Sequence, residues 1–224
     1  ILIVDNPINV TLMITESALQ AQSLLRDPSQ FSWHIIPIFL VVLYVYFMEI
    51  DQGNWNRVLA ALAFLGMDLF NEIVNGIIFH TSGFAPLWGT PGNNTAFLVL
   101  IGLNVEIMMM FAITGIVATL ALPLDKNHKI FGINNRIFLA CCFSAASVLI
   151  EILLNSIGAL TWEWSFWNAQ APLLIFLFGY LTFYLICYWV YDMPSRKQQL
   201  LTLLSLYSVN ASGIAVFGWG LGWL

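Results

Sequence analysis

Asp68, Asn71, Glu72 and Asn75 recur at i, i+3, i+4 and i+7, a spacing that places all of them on one stripe of a helix. Glu151 and Asn155 repeat part of that stripe in a later apolar run, and Glu106 stands in a third. Carboxyl groups set in apolar sequence can donate and accept protons or hold a cation, provided they are turned away from lipid. A carboxylate at the bilayer centre costs upwards of ~2.5 kcal/mol even on lenient insertion scales, so four of them predict a shared interior site. No Lys or Arg is available at that depth. Each acid is therefore expected to be protonated, to accept hydrogen bonds from Asn71, Asn75, Asn104, Asn155 or Tyr180, or to be neutralised by a bound cation. An interhelical hydrogen-bond network of protonated acids and Asn is the structural alternative. The chemical reading takes Glu72 and Glu151 as paired acid and base, with Asp68 and Glu106 in support. Asn75, Asn104, Asn155, Trp88, Trp162, Trp164, Trp167 and Tyr180 are the expected substrate-binding residues. His34 and His80, at the ends of apolar runs, are secondary metal or haem candidates, since neither has the helical i, i+4 partner of a metal motif.

The elements that must position these groups are membrane helices. The chain is 60% hydrophobic and only 8% charged, with a mean hydropathy of +0.84, against about 25% charged residues in soluble proteins. Residues 8–26 alternate apolar and polar positions at near-helical spacing and stop at Asp27-Pro28, which predicts an interfacial amphipathic helix within a segment 1–30. Apolar runs follow at roughly 33–50, 57–79, 96–122, 135–160, 171–192 and 198–223, each near or above the ~20 residues that cross a hydrocarbon core. The expectation is an all-α, polytopic bundle of about six transmembrane helices over 31–224. Asp51-Gln52-Gly53-Asn54, Gly89-Thr90-Pro91-Gly92-Asn93, Leu122-Pro123-Leu124-Asp125 and Met193-Pro194-Ser195 supply turn chemistry at its joints. Counted inward at 1.5 Å per residue, Glu72, Glu151, Glu106 and Asp68 lie roughly 11, 13, 15 and 17 Å deep, in one layer.

Arg57, Lys126, Lys129, Arg136, Arg196 and Lys197 lie in or beside the connections after spans one, three and five, which should therefore be cytoplasmic. Both visible termini then lie outside, with Trp33, Trp88, Trp162, Trp164, Trp167, Trp219 and Trp223 in an aromatic belt. The chain begins at Ile1, so a leader or upstream segment is expected to be missing. Cys141, Cys142 and Cys187 read as packing residues. Asn9-Val10-Thr11 and Asn93-Asn94-Thr95 are acceptor-type sequons. A weak internal repeat, 57–122 and 135–192, is also visible. Glu72 precedes Trp88 by the same interval as Glu151 precedes Trp167, each glutamate is followed by an Asn, and Gly102 and Gly179 stand on the return helices.

Glu151-Ile-Leu-Leu-Asn155, Gly158, Trp162-Glu163-Trp164, Ala171-Pro172 and Gly179-Tyr180 resemble a pattern of the membrane-embedded carotenoid hydratases and the related lycopene cyclase domains, and Glu72 to Pro91 loosely echoes that family's other acidic segment. The chain departs from the pattern at Asn155-Ser156, where the family has a second acid and a proline, and at Gln170-Ala171-Pro172. The resemblance implies acid-initiated chemistry on a polyene: one carboxylic acid protonates a double bond, a second carboxylate takes a proton or orients water, and aromatic faces stabilise the cation.

The net charge of −5 with 7 Lys+Arg excludes nucleic acid as a partner. The expected partners are the bilayer, an apolar small molecule or lipid, and other membrane subunits; the sequence names no cofactor. The leading expectation is a membrane enzyme acting on a long apolar substrate. Its rivals are an intramembrane metal or proton site and a non-catalytic subunit of a larger complex.

Overall fold

A computed structural model describes residues 13–91 and 97–224. Both sequons fall outside them, as does the start of the 8–26 segment. Seven helices are described: α1 (Glu16–Leu24), α2 (Ile35–Asp51), α3 (Trp55–Ser82), α4 (Val105–Leu120), α5 (Asn135–Ser156), α6 (Thr182–Tyr191) and α7 (Arg196–Gly213). Two of them are extended by π-helical turns, Ile175–Leu181 leading into α6 and Ile214–Gly220 continuing α7. Two short antiparallel hairpins, β1 (Leu98–Leu100) with β2 (Leu103–Asn104) and β3 (Lys129–Ile130) with β4 (Ile133–Asn134), are additions to the all-α expectation.

The helix α3 is the axis of the bundle. It ends at Gly83, whose left-handed φ of 60° closes the last turn without a Cβ clash. Its small residues let neighbours approach: Ala60, Ala61 and Ala63 are fully buried, and a Cβ added at Gly115 of α4 would lie 2.6 Å from the Ala61 Cα. Such seams substitute for a hydrophobic driving force between helices in lipid. On another face α7 packs at Gly66, where Asn210 Nδ2 donates to the Gly66 carbonyl at 2.7 Å and Tyr207 donates to the Leu62 carbonyl at 3.0 Å. α4, α6 and α7 all pack on α3, while α5 packs on α6 and its π-helical turn.

By length and composition, three helices can cross a membrane: α3, α5 and the continuous Arg196–Gly220. The most apolar stretch is 61% buried within the protein in α3 but only 17% and 11% in the other two, so α3 is interior and the others present their sides outward. α2 has 17 residues and α4 has 16, both below the ~20 that span a core unaided. The expected 96–122 run is the clearest departure, because residues 98–104 fold into the β1–β2 hairpin and α4 begins only at Val105. Of the amphipathic segment, α1 is the helical part among the described residues. Thr15 caps it, accepting from the Ala18 N–H at 3.4 Å, and it docks through Ala18 and Ala21 against Phe79, Leu98 and Ile101.

At the opposite end of the bundle from α1, the connections 52–54, 121–134 and 192–195 meet. Arg136 at the start of α5 forms a two-pronged ion pair with Asp192, both contacts 2.9 Å, and donates to the Pro123 carbonyl at 2.8 Å. Arg57 pairs with Glu49 at 2.5 Å, and the Arg196 guanidinium lies over the Trp55 ring at 5.1 Å.

Candidate functional site

Inside the α1 end of the bundle lies a cavity of about 30 Å3. Its lining includes Asp68 and Glu72 from α3, Glu151 from α5, Tyr180 from the π-helical turn, and Trp88 and Trp167 from the two connecting segments. That volume is room for about two waters. No Lys or Arg lines it. Asp68 and Glu72 are each 2% exposed and Glu151 is partly buried.

Each acid is held differently. Glu72 Oε1 accepts from Trp88 Nε1 at 2.7 Å, while its Oε2 has no partner. Asn75, one turn further along α3, donates from Nδ2 to the Trp88 carbonyl and accepts the Leu87 N–H, both at 2.7 Å, so the indole is clamped by its own backbone. Gly102 completes the seat, since a Cβ there would lie 2.5 Å from Trp88 Cδ1 and Nε1. Glu151 and Tyr180 stand together in the same wall. Asp68 Oδ2 and Trp167 Nε1 are buried without partners. The cavity thus presents unpaired carboxyl oxygens and an unpaired N–H, the combination that suits a small group able both to donate and to accept.

The equal Glu–Trp spacings meet in space. Trp88 and Trp167 stack at 5.7 Å with their planes 26° apart. The connections carrying them are cross-linked by Gly89 N to the Thr161 carbonyl at 3.1 Å and Thr161 N to the Gly89 carbonyl at 2.8 Å. A Cβ added at Gly179 would lie 3.6 Å from the Trp167 ring, a looser counterpart of the approach of Gly102 to Trp88. These two indoles line the site, whereas Trp33 and Trp219 are exposed.

Several expected site residues lie elsewhere. Glu106 is in the first turn of α4 and pairs with His34 at the start of α2; the depth count misplaced it because it treated 96–104 as helix. Asn104 caps α4 by accepting the Ile107 N–H at 2.8 Å. Asn155 donates to the Leu160 carbonyl at 2.9 Å and braces the turn after α5. Trp164 Nε1 donates to the Ala85 carbonyl at 3.1 Å, and neither Trp162 nor Trp164 lines the cavity. His80 stacks on Trp223 at 4.4 Å, and His34 pairs with Glu106. Among the described residues no three His, Cys, Asp or Glu side chains gather in a metal-binding group. Two features escaped the sequence: the π-helical turn that aims Tyr180, and the role of Asn71, which donates to the Phe178 carbonyl of that turn at 3.0 Å.

Beside the cavity an apolar groove of about 350 Å3 runs between α4 and α5, lined by Met110, Val117, Phe143 and Ile150 among others. Phe111 and Tyr180 belong to both walls. Ser147 and Tyr184 share a hydrogen bond of 2.9 Å on the groove side.

Comparison with known proteins places the chain at family level. Residues 15–219 match a family described as an uncharacterized membrane protein family. The chain belongs to that family. A relative from Archaeoglobus fulgidus, described as an uncharacterized protein, is 51% identical over 212 residues, covering 95% of this chain and 100% of the relative. A second chain of that organism with the same description is 49% identical over 53 residues, 24% of this chain and 95% of its own length. No solved structure matches. Membership makes the chain a membrane protein, in accord with its apolar helices.

Proposed function

We propose that this protein is an integral membrane enzyme using Glu72, Glu151 and Asp68 for acid and base chemistry on a long apolar substrate of isoprenoid or lipid-like type. The supporting observation is the cavity of three carboxyl groups that shares Phe111 and Tyr180 with the α4–α5 groove. A cavity of about 30 Å3 admits a reacting group but not a chain, and the apolar groove of about 350 Å3 beside it suits the remainder. When Glu72 carries a proton, Oε2 is the atom to bear it, because Oε1 is occupied by the Trp88 N–H. Proton transfer from Oε2 to a substrate double bond leaves a carboxylate that the Trp88 N–H continues to stabilise, and a cation that faces the Trp88, Trp167 and Phe111 rings. Glu151, beside Tyr180 in the wall, is the complementary base. Glu106 has no part in this set. The family resemblance to carotenoid hydratases and cyclases, carried by Glu151 and Gly179-Tyr180, points to the same chemistry.

In this reading all six helices from α2 to the Arg196–Gly220 unit cross the bilayer, the short ones completed by their connections. The basic connections are cytoplasmic, and α1 lies at the outer interface. The test compares lipid and isoprenoid extracts of cells making the wild-type protein, Glu72→Gln or Glu151→Gln. A wild-type-dependent change in the profile, lost in both variants while the folded protein persists in the membrane, is expected. Unchanged conversion in both variants, or no wild-type-dependent change at all, overturns the proposal.

A second reading, a subunit of a membrane complex, draws on the outward-facing apolar sides of α5 and α7. Native mass measurement in mild detergent separates the two, because that reading requires a stable hetero-oligomer.

A further inference from the structure

Glu72 borders a second cavity, of about 60 Å3, on the side toward α1. Gln22 and Leu25 enclose it from the α1 segment, Gly76 and Phe79 from α3, Leu100 and Ile101 from the hairpin, and residues 222–224 from the chain beyond α7. Among the described residues, Glu72 is the side chain common to this cavity and the acid cavity. Gln22 and Gly222 are exposed at the protein surface, whereas Glu72, at the far end, is 2% exposed. Gly76 lets Leu224 pack close against α3 at the cavity wall, since a Cβ there would lie 2.4 Å from Leu224 Cδ2.

An apolar void of this size would stay dry, but this one has polar groups at both ends. The Glu72 carboxyl closes the inner end, the Gln22 amide stands at the mouth, and the Trp223 carbonyl lies near Gly76. Volumes of about 30 and about 60 Å3 hold about two and about four waters, enough for a short chain from the surface to the carboxyl. The α4–α5 groove, by contrast, is walled mainly by apolar side chains, with hydroxyls at Thr114, Ser147, Tyr180 and Tyr184, and contains neither Glu72 nor Gln22.

We propose that the cavity under α1 is a water path through which the Glu72 carboxyl exchanges protons with the aqueous phase. The site then has two entrances of opposite character, a polar one under α1 and an apolar one between α4 and α5. The path deepens the reading of Glu72 as an acid, yet it can be tested without any substrate.

The test uses the whole protein in lipid nanodiscs, with Cys141, Cys142 and Cys187 replaced by Ala and one cysteine introduced at a time. Silver ion, close to water in size and reactive toward thiols, is the probe, and protection from later maleimide labelling is the readout. Phe79→Cys and Leu100→Cys should react roughly tenfold or more faster than the deep control Ile116→Cys, which can be reached only by opening of the fold. Adding Gln22→Trp at the exposed mouth should slow both. Rates equal to the control, or rates indifferent to Gln22→Trp, overturn the proposal. Independently, the Glu72 carboxyl band, assigned by its loss in Glu72→Gln infrared difference spectra, should shift within seconds of transfer to D2O and about tenfold more slowly in Gly76→Val. A band that exchanges only with the core amides also overturns it. A negative lipid-conversion assay beside positive silver labelling removes the enzyme reading and leaves the path standing.

Discussion

Trp88 and Trp167 form a stacked pair in which only one indole spends its N–H on the protein. Replacing Trp88 by Phe keeps most of the ring but removes the donor to Glu72, leaving a buried carboxyl oxygen unpaired. Replacing Trp167 by Phe breaks no hydrogen bond within the protein. Trp88→Phe is therefore expected to be less stable than Trp167→Phe by about 1–2 kcal/mol. Thermal unfolding in one detergent measures the difference, and equal midpoints would show that the 2.7 Å contact contributes nothing. Trp167→Phe should instead be impaired in turnover, since its unpaired N–H is the one free donor the described cavity wall presents from an indole. Gly102→Ala makes the complementary point, because its Cβ would drive Trp88 off the Glu72 carboxyl. Activity should be lost there at an overpacking cost of about 1–3 kcal/mol, and a Gly102→Ala protein with wild-type turnover would refute the clamp.

At the scale of elements, the polar stripe on α3 was readable because helical spacing converts i, i+3, i+4 and i+7 directly into one face. Asp68 and Glu72 reach the cavity for that reason, Asn75 holds Trp88, and Asn71 is turned to the π-helical turn. Glu106 was misread because depth was counted along an apolar run, and an apolar run does not announce where a hairpin replaces a helix. Residues 98–104 are as hydrophobic as a span, yet Leu98 pairs with Asn104 across a turn. Tyr180 was legible as a polar group near the acids, but not the π geometry that sets its direction, since such turns have no reliable composition. The meeting of α3 and α4 makes a further prediction. Gly115→Val would press a side chain into the Ala61 backbone, so it should lower stability by about 1–3 kcal/mol or more and separate the two helices. A Gly115→Val protein that unfolds at the wild-type temperature would contradict the close seam.

Across the whole molecule the two ends do different work. The end away from α1 is tied by charge: the Arg136–Asp192 pair joins the connections on either side of α5 and α6 and leaves the Asp192 side chain 27% exposed. Breaking it with Arg136→Ala should cost about 2 kcal/mol, less than a fully buried pair because of that exposure. A double-mutant cycle with Asp192→Ala that returns no coupling would show the pair to be ornamental. At the α1 end the His34–Glu106 pair lies outside the wall of the carboxyl cavity, and that wall is tied by neutral hydrogen bonds and aromatic stacking, through the Gly89–Thr161 cross-link and the two indoles. Such contacts are indifferent to salt, so raising ionic strength should loosen the first end and leave the carboxyl cavity unchanged.

The π-helical turn at Ile175–Leu181 also constrains how this chain can vary in length. A π turn amounts to one residue more than an α-helix needs over the same stretch. Its two ends both face the cavity, through Ile175 and Tyr180, with Gly179 between them beside Trp167. Deleting any one residue from the turn would let it relax to a plain helix, swinging one of those ends by about 100° out of the wall. Insertions and deletions should therefore be purged from 175–181, so that this short stretch, rather than the acids alone, marks which descendants of the chain keep the cavity wall intact.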